Sequence, residues 1–363
     1  MTSLDPNLPA NSKKRTPVRV GIIGTGGMAN VHAERFRANP GVRVVAGVDV
    51  DLDRARIFAE KHEIPHVYTS VTDLLASGTV DAVSIVTPDA FHAPISLQVL
   101  RKGRHVLCEK PLALNYPDAM KMVAAAKKAG VVHMVNFSYR DWPAIQAVAA
   151  AVRRGDIGEV VHVEASYLQA WLPSKVWGDW RTSPHWLWRL STQHGSKGVL
   201  GDVGVHIVDF ATYPVGPIKE VYARLKAFPK APGDRVGDYV LDANDSAVIN
   251  VEFANGALGV IHTSRWVAGH PNRLFLKIAG TKGTVEIDSD KSTTSYRVCR
   301  GKNLDTATWQ EVQAKPVPTN YERFITAIRK GVTGDPDFVR GAEIQKVLDA
   351  CIESDAARLP VKI

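Results

Sequence analysis

The stretch Val18-Arg19-Val20-Gly21-Ile22-Ile23-Gly24-Thr25-Gly26-Gly27-Met28-Ala29 decides the fold of this chain. An apolar strand runs into a glycine turn and then into the start of a helix. Gly24 permits the tight turn, Gly26 lets a pyrophosphate approach the backbone, and Ala29 allows close packing of helix on strand. The stretch therefore predicts a dinucleotide site, against the alternative of a tight turn without a ligand. The predicted cofactor contacts in this loop are Gly24, Thr25, Gly26, Gly27, Met28 and Ala29.

Asp49 ends the next predicted strand, 20 residues beyond Ala29, as the dinucleotide fingerprint expects. Its carboxylate is expected to accept hydrogen bonds from the adenosine ribose hydroxyls. Asp51 adds a second negative charge, and both would repel a 2′-phosphate, so the predicted cofactor is NAD, with NADP disfavoured. Arg54 is the residue that argues against this choice, because an arginine nearby accommodates the phosphate of NADP.

Short β-branched runs alternate with helical segments from Val18 to about Val135. This alternation predicts an α/β fold, a doubly wound parallel sheet of the Rossmann type. The predicted strands are Val18–Ile23, Val42–Val48, a weaker one near Val67, Val80–Val86, His105–Cys108 and Val131–Val135. The predicted helices include Gly27–Asn39, Asp53–Lys61, Pro94–Lys102 and Asp118–Ala129.

The pattern changes after about Tyr139, where strands follow one another without helices between them. Asn255-Gly256 between two apolar runs is a strong hairpin signal, and residues 231–241 are predicted as a mobile loop. Successive strands predict a mostly antiparallel sheet and an α+β domain. The predicted strands are Glu159–Leu168, Ala247–Phe253, Leu258–Thr263, Leu274–Ile278, Thr284–Ile287, Ser295–Val298 and one near Trp309. The predicted helices are Ala144–Arg153, Asp202–Tyr213, Tyr321–Arg329 and Ala342–Asp355. We expect a disordered arm over residues 1–16, an NAD-binding domain over 17–139 and a second domain over 140–363.

The composition is that of a globular protein, with 363 residues, 45% hydrophobic and 23% charged. The net charge of +8 favours anionic cofactors, but no stripe of basic residues is dense enough to predict a nucleic-acid partner. Three scattered cysteines predict neither a disulfide framework nor a metal site, and they suit a reducing compartment. No apolar run is long enough for a membrane span, and residues 1–17 show no signal peptide. The expected location is the cytoplasm, without a membrane partner.

Cys108-Glu109-Lys110-Pro111 places a lysine where a short apolar strand ends. Open α/β sheets bind their ligands at this edge, and the proline favours an extended or turn conformation at Lys110. The alternative is a solvated lysine in a loop. Thr87-Pro88 follows the preceding strand at the same edge, and His92 lies shortly after. We expect Thr87, Pro88, His92, Glu109 and Lys110 to contact the cofactor, with His92 packed beside the nicotinamide or ribose and Glu109 anchoring the turn or reaching the ribose.

Asp202, His206 and Asp209 occupy positions i, i+4 and i+7 of a predicted helix and therefore share one face. A carboxylate beside an imidazole raises its basicity and fixes its orientation, which suits removal of an alcohol proton. The alternative is an N-capped helix that buries a hydrogen-bonded histidine.

The motifs Gly24-x-Gly26-x-x-Ala29, Thr87-Pro88-x-x-x-His92, Glu109-Lys110-Pro111 and Asp202-x-x-x-His206 occur in this order and at these spacings. In this combination the chain resembles the Gfo/Idh/MocA family, which includes glucose–fructose oxidoreductases and inositol dehydrogenases. The resemblance covers about residues 17–355. It implies an N-terminal Rossmann domain and a C-terminal open sheet that binds substrate and mediates homodimers or homotetramers.

The resemblance also implies that Lys110, Asp202 and His206 are catalytic and that the Lys110–Pro111 peptide is cis. In the family's usual mechanism a sugar or polyol hydroxyl loses its proton while the hydride of the same carbon moves to nicotinamide. Carried onto this chain, His206 is the general base and Lys110 stabilises charge on the reacting oxygen. Asp202 would orient the pair.

Five of the eight tryptophans fall between residues 171 and 188, interleaved with arginine and histidine. Aromatic faces pack on sugar rings while arginine binds hydroxyls, but tryptophans also anchor cores and interfaces. The predicted substrate-binding residues are Lys110, Tyr139, Arg140, Tyr167, Trp180, Arg181, Arg189, Asp202 and His206. This segment, and the residues Gly195-Ser196-Lys197-Gly198, depart from the family pattern and leave the substrate open.

The favoured function is an NAD-dependent dehydrogenase that oxidises a secondary hydroxyl of an inositol, an aldopyranose or an anhydrosugar such as levoglucosan to the ketone or lactone. A second hypothesis is a glycosidase that uses bound NAD for transient oxidation. A third is a non-catalytic NAD-binding regulator, which would have no need of Lys110, Asp202 and His206 together.

Overall fold

The computed structural model describes residues 16–363. The predicted arm, residues 1–16, lies outside the described residues except for its last position. The chain divides into two compact units, one ending at Val86 and one comprising Thr87–Ile363. The division between cofactor and substrate domains at residues 139 and 140 stays a prediction.

The N-terminal sheet is six-stranded, with strand order β3-β2-β1-β4-β5-β6, and its registered pairs are parallel. Its strands are β1 Val18–Ile23, β2 Val42–Val48, β3 His66–Tyr68, β4 Ala82–Ile85, β5 His105–Cys108 and β6 His133–Val135. Its helices are α1 Gly27–Arg37, α2 Leu52–Lys61, α3 Val71–Ala76, α4 His92–Arg101 and α5 Tyr116–Ala129. Strong local signals set these elements: Asp51 caps α2, Asn115 caps α5, and Gly130 closes α5 in the left-handed conformation. The predicted Rossmann fold is confirmed.

A nine-stranded sheet follows, in the order β16-β15-β14-β13-β7-β12-β11-β8-β17. Its strands are β7 Val160–Gln169, β8 Ile218–Lys226, β11 Ser246–Phe253, β12 Leu258–Ser264, β13 Asn272–Gly280, β14 Gly283–Asp288, β15 Ser295–Arg300, β16 Gln310–Gln313 and β17 Val361–Lys362. Its helices are α6 Pro143–Arg153, α7 Pro184–Leu187, α8 Val205–Val215, α9 Asn320–Lys330 and α10 Phe338–Ala357. The sheet is mostly antiparallel, as predicted. One pair, β7 with β12, is parallel, because the chain crosses through α8 before it returns to pair with β7.

The predicted hairpin at Asn255-Gly256 is present: β11 and β12 pair antiparallel from Glu252 opposite Leu258. Gly256 has a φ of +86°, a conformation that favours glycine.

The segment predicted as a mobile loop is paired. Two short strands, β9 Arg235–Val236 and β10 Tyr239–Val240, form an antiparallel ribbon within it. Leu241 is 2% exposed and belongs to a cluster with the tryptophan segment. Burial against that cluster orders these residues, and the local sequence did not signal it.

Among residues 16–363, no helix combines the length and the apolar composition needed to cross a membrane. The cytoplasmic location stays a prediction.

Candidate active site

The glycine loop of the first unit fits a dinucleotide. Gly24 has a φ of +88°, and α1 begins at Gly27 without a side-chain cap or an acidic residue in its first turn. A Cβ atom added at Gly26 or Gly27 would meet no protein atom within 4 Å. Internal packing therefore does not require these glycines, whereas close approach of a pyrophosphate to the uncapped helix end would require them.

Asp49 braces this loop. Its Oδ2 accepts hydrogen bonds from the backbone N–H and the hydroxyl of Thr25, both at 2.9 Å, and its Oδ1 accepts from the N–H of Asp51 at 3.0 Å. Arg54 approaches the Oδ1 of Asp49 at 3.6 Å and the Oδ2 of Asp51 at 3.1 Å. Asp49 thus fixes the loop in addition to its predicted ribose contact, and Arg54 is occupied by carboxylates.

Lys110 and Asp202 form an ion pair in the second unit. The Nζ of Lys110, directly after β5, donates to the backbone oxygen of Asp202 at 2.9 Å and to its Oδ1 at 3.3 Å. Burial disfavours the ammonium, but Asp202, Asp89 and Glu109 raise the pKa of Lys110 above its ordinary value. The peptide between Lys110 and Pro111 is cis, as the resemblance implied.

Asp202 lies in a π-helical turn, Leu200–Gly204, that leads into α8. Such turns place one extra residue in the helix and recur at functional sites. Its Oδ2 accepts from Arg265 at 2.8 Å, and the Nε of Arg189 lies 3.8 Å from the same oxygen. Burial opposes ionisation, but Lys110, Arg265 and Arg189 outweigh it and lower the pKa of Asp202. The carboxylate is therefore charged under all ordinary conditions.

His206 follows in the first turn of α8 and is 8% exposed. Burial, and then the charge of Lys110, lower the pKa of His206 to about 3. The predicted gain in basicity is wrong as a net result: Glu109, Asp202 and Asp209 each raise the pKa of His206, but burial and Lys110 lower it by more. The lowered pKa keeps the ring neutral, and its Nδ1 is buried without a partner in the described part of the chain.

Tyr139 and Tyr167 lie beside the imidazole. The ring of Tyr139 meets the ring of His206 edge-on at 4.7 Å between centroids, and the ring of Tyr167 lies 6.4 Å away. The two phenols are hydrogen-bonded to each other. Burial raises the pKa of both, so both are neutral. The structure thus brings these two predicted residues to His206.

Arg140 does not reach this cluster, and its predicted substrate contact is wrong. It is 2% exposed, and its Nε and NH2 each donate to Asp209 at 2.7 Å while NH1 donates to Asp335 at 2.7 Å. Arg340 also donates to Asp209, at 2.8 Å. Asp209 is therefore occupied by two arginines instead of pairing with His206.

Trp180 is a core residue. It is 1% exposed, its indole donates to the backbone oxygen of Leu172 at 3.1 Å, and it packs in an apolar cluster with Trp171 and Leu190. The side chain of Arg181 is 51% exposed beside Asp179 and stacks over Trp180 at 4.5 Å. The structure contradicts the substrate contact predicted for Trp180, which is enclosed. The contact predicted for Arg181 stays a prediction, and Arg189 joins Asp202.

His92 and Glu109 brace the turns that carry Lys110. His92 is fully buried, with its ring nitrogens 2.7 Å from the backbone oxygen of Pro111 and 2.9 Å from that of Thr87. It is enclosed instead of packing beside a nicotinamide, which corrects the prediction. Glu109 accepts from the amide of Asn136 at 2.6 Å and from the N–H of Lys110 at 3.2 Å, so it anchors the turn. The hydroxyl of Thr87 is buried without a partner among the described residues.

Sequence reasoning missed Arg265, Asp89 and Asn272. Arg265 is fully buried against Asp202, Asp89 acts electrostatically on Lys110, and Asn272 bonds to Tyr167 at 2.7 Å. Arg265 carried a signal equal to that of Lys110, since it is a lone cation directly after the apolar strand β12. Asp89 stood inside the quoted Thr87-Pro88 motif, and Asn272 had no local signal.

Comparisons with known proteins place the chain in a family. The model of the oxidoreductase family with NAD-binding Rossmann fold, Gfo/Idh/MocA, matches residues 18–137, and the model of the Gfo/Idh/MocA C-terminal domain matches residues 145–286. The inositol 2-dehydrogenase of Rubrobacter xylanophilus is 30% identical over 95% of this chain and 93% of its own. The levoglucosan dehydrogenase of Pseudarthrobacter phenanthrenivorans is 26% identical over 93% of this chain and 96% of its own.

Solved structures agree with these matches. A levoglucosan dehydrogenase in complex with NADH and levoglucosan has a TM-score of 0.87 at 25% identity, covering 96% of this chain and 100% of the other. An oxidoreductase domain protein from Kribbella flavida has a TM-score of 0.86 at 31% identity, covering 96% of this chain and 99% of the other. The chain therefore belongs to the Gfo/Idh/MocA family of oxidoreductases, with an NAD-binding Rossmann fold.

Proposed function

We propose that this protein is an NAD-dependent dehydrogenase that oxidises a secondary hydroxyl of a cyclic polyol or sugar. The observation that carries the proposal is the meeting of a charged lysine, Lys110, with Asp202 and the neutral imidazole of His206. Bound NAD supplies the acceptor for the hydride that leaves the carbinol carbon. The residues of the glycine loop and Asp49 are proposed to hold it.

Lys110 is proposed to stabilise the reacting oxygen. Asp202 occupies two directions around the Nζ, and an ammonium has three N–H donors. The third donor is available to a substrate oxygen, where it stabilises negative charge as the alcohol proton leaves. Asp202, itself held by Arg265, keeps the ammonium in place.

His206 is proposed to accept the alcohol proton. With a pKa of about 3, its ring is neutral at any pH at which the enzyme would work. Because Nδ1 is sealed from solvent, the nitrogen that meets substrate is Nε2. The proton would move from the hydroxyl to Nε2, and NAD held by the glycine loop and Asp49 would supply the acceptor for the hydride of the same carbon, so charge and atoms would balance.

The substrate class rests on the relatives. Curated relatives that cover most of the chain are named levoglucosan dehydrogenase, inositol 2-dehydrogenase and D-apiose dehydrogenase. Their named substrates share a hydroxyl-rich, ring-forming carbon skeleton. We accordingly propose an inositol, an aldopyranose or an anhydrosugar as substrate, with a ketone or lactone as product.

The test is oxidation of a panel of inositols, aldoses and levoglucosan with NAD, followed by NADH absorbance. We expect NADH with at least one member. Lys110→Ala should lose turnover by about 10²–10³-fold, the usual effect of removing a donor to a developing oxyanion, while it still binds NADH. Lys121→Ala, which removes an exposed lysine paired with Asp118, is the matched control and should retain full turnover.

Other results would select other functions. Glycoside cleavage with retained cofactor and without net NADH would identify a glycosidase that uses transient oxidation. NAD binding without turnover of any panel member or glycoside would favour the regulatory hypothesis. Loss of NADH binding in Lys110→Ala would place this lysine in the cofactor site alone.

We also propose that the protein forms a homodimer or homotetramer through the nine-stranded sheet. Val248 and Leu258 stand on adjacent strands of this sheet and are 48% and 61% exposed. Analytical ultracentrifugation tests this assignment, and a monomer at micromolar concentration would contradict it.

A further inference from the structure

A chain of hydrogen bonds connects the buried core to the phenol beside His206. The indole Nε1 of Trp171 lies 3.0 Å from the Oε1 of Gln169, and the Nε2 of Gln169 lies 3.0 Å from the Oδ1 of Asn272. The hydroxyl of Tyr167 lies 2.7 Å from the same Oδ1 and also bonds to the hydroxyl of Tyr139. Trp171, Gln169 and Tyr167 are 2%, 5% and 3% exposed, so water does not compete for most of these groups.

The direction of every proton in this chain follows from its buried end. An indole N–H only donates, so Gln169 turns its oxygen towards Trp171 and its NH₂ towards Asn272. The carbonyl oxygen of Asn272 must then accept the hydrogen bond from that NH₂. The two amide orientations are thereby fixed without ambiguity.

The tyrosine protons follow in turn. The Oδ1 of Asn272 can only accept a hydrogen bond, so the hydroxyl of Tyr167 donates its single proton to Asn272. Tyr167 therefore has only lone pairs for Tyr139, and Tyr139 must donate its proton to Tyr167. The NH₂ of Asn272 also donates a hydrogen bond to the hydroxyl oxygen of Tyr139, at 3.4 Å.

Tyr139 is consequently left with lone pairs alone. It can accept a hydrogen bond from a ligand, but its own proton is committed. Burial keeps both phenols neutral. Lys110 is the opposite case, because its ammonium only donates. The residues around His206 thus include one group that only donates to a ligand and one that only accepts.

We propose that Tyr139 selects substrates with a second hydroxyl beside the one that is oxidised, because its phenol oxygen accepts a hydrogen bond from that hydroxyl. The direction of this hydrogen bond is set by Trp171 at the buried end of the chain of hydrogen bonds. The inference rests on the proposed function, in which His206 takes the proton of the reacting hydroxyl. The ring of Tyr139 contacts the ring of His206 at 4.7 Å between centroids, so we place the hydroxyl that Tyr139 meets on the carbon next to the reacting one. The substrate class is therefore a vicinal diol, bound through an O–H donor next to the reacting carbon.

Neutron diffraction on deuterium-exchanged crystals tests the proton directions without any substrate. We expect the deuterium of Tyr139 to point at the hydroxyl oxygen of Tyr167, and that of Tyr167 to point at the Oδ1 of Asn272. A deuterium on Tyr139 that points away from Tyr167 would overturn the inference. This result does not depend on turnover, so it stays separate from failure of the proposed function.

Kinetics test the selection, using the panel member that the enzyme oxidises and its deoxy and deoxyfluoro analogues at the neighbouring carbon. Fluorine accepts but cannot donate. In the wild type both analogues should lose about tenfold in kcat/KM, since an acceptor on the protein is left unpaired, and fluorine should be no better than hydrogen. Fluoro and hydroxyl compounds reacting equally well would overturn the inference.

Two variants sharpen this test. Tyr167→Phe releases the proton of Tyr139, so the fluoro analogue should gain about threefold over the deoxy analogue; an unchanged ratio would count against the inference. Tyr139→Phe removes the acceptor, so the three compounds should converge. Tyr213→Phe, which removes a phenol that donates to Gln146 at 2.7 Å, is the matched control and should keep the wild-type ratios.

Discussion

Asp202 and Asp209 lie seven residues apart in one helical run, and both pair with arginine, yet their surroundings differ. Asp209 has a side chain only 4% exposed and receives bonds from Arg140 at 2.7 Å and Arg340 at 2.8 Å. The side chain of Asp202 is 30% exposed and meets Lys110, Arg189 and Arg265. The first carboxylate is enclosed by its partners, whereas the second is open on one side.

The difference distinguishes a structural ion pair, Arg140 with Asp209, from the ion pair proposed to be reactive, Lys110 with Asp202. Around Asp209 each nitrogen of the Arg140 guanidinium donates to a carboxylate, and the residue is only 2% exposed, so a ligand has no access to it. Around Asp202 the ammonium of Lys110 has one N–H donor left for a ligand, and the neutral imidazole of His206 lies beside it as an acceptor. Perturbed pKa values occur at both places, so the open donors and acceptors, and not the shifts, mark the candidate active site.

The largest expected effect concerns stability. Arg140→Ala would leave Asp209 and its charge buried with one partner fewer, and breaking a buried ion pair typically costs about 3–5 kcal/mol. Urea unfolding should report this loss. Arg181→Ala is the matched control, because its side chain is 51% exposed and its loss should stay within about 0.5 kcal/mol. Equal stability of the two variants would contradict the structural role of Arg140.

A smaller effect concerns pH. A histidine base with an ordinary pKa of about 6.5 would cost about tenfold in kcat/KM for each pH unit below that value. Because burial and Lys110 lower the pKa of His206 to about 3, we expect no such loss near pH 6.5. A pH profile of kcat/KM at saturating NAD measures this, and an acidic limb near 6.5 that His206→Gln abolishes would contradict it.

The lowered pKa of His206 also makes the free energy of unfolding depend on pH. The unfolded chain takes up a proton near pH 6.5, whereas folded His206 does so only near pH 3. The contribution of His206 to stability is therefore present above about pH 6.5 and is lost as the pH falls towards 3. The difference in free energy of unfolding between the wild type and His206→Gln should therefore become smaller as the pH falls from about 6.5 towards 3. Urea unfolding at several pH values would show this.

The smallest effect concerns a third buried carboxylate, Asp49. Its partners include the neutral N–H and O–H groups of Thr25 and, at 3.6 Å, the half-exposed Arg54, which offsets the negative charge of Asp49 only in part. A unit charge at 4 Å in water repels another by about 1 kcal/mol, so NADH should bind roughly fivefold tighter than NADPH. Fluorescence titration with both cofactors decides this, and tighter NADPH would show that Arg54 dominates.

Sequence reasoning succeeded where the signals were local. The bounds of β1, β2 and β5 match the predictions, as do the hairpin at Asn255-Gly256, the NAD-binding fold and the family. The short helix α3 was missed, because six residues carry too little periodicity. The strand β8 was also missed, since its charged positions interrupt the apolar alternation.

The errors at the site have one physical cause, which is that ion pairing and burial depend on residues distant in sequence. Arg140 looks like a ligand-binding arginine until Asp209 and Asp335 are placed around it. In the sequence Trp180 resembles a tryptophan that packs on a sugar ring, but in the structure it is buried in an apolar cluster. Conversely, Arg265 lies 63 residues from Asp202, so the sequence alone does not pair them. The roles of Lys110, Asp202 and His206 stay predictions that experiments must test.

The most direct measurement compares Asp202→Asn with Asp209→Asn for both NADH formation and unfolding by urea. Asp202→Asn should lose about 10²–10³-fold in kcat/KM, whereas Asp209→Asn should lose far less. Both should lower the unfolding midpoint, because each change takes a carboxylate partner from a buried arginine. Full activity in Asp202→Asn, on a sugar or cyclitol that the wild type oxidises, would contradict the assignment of the active site.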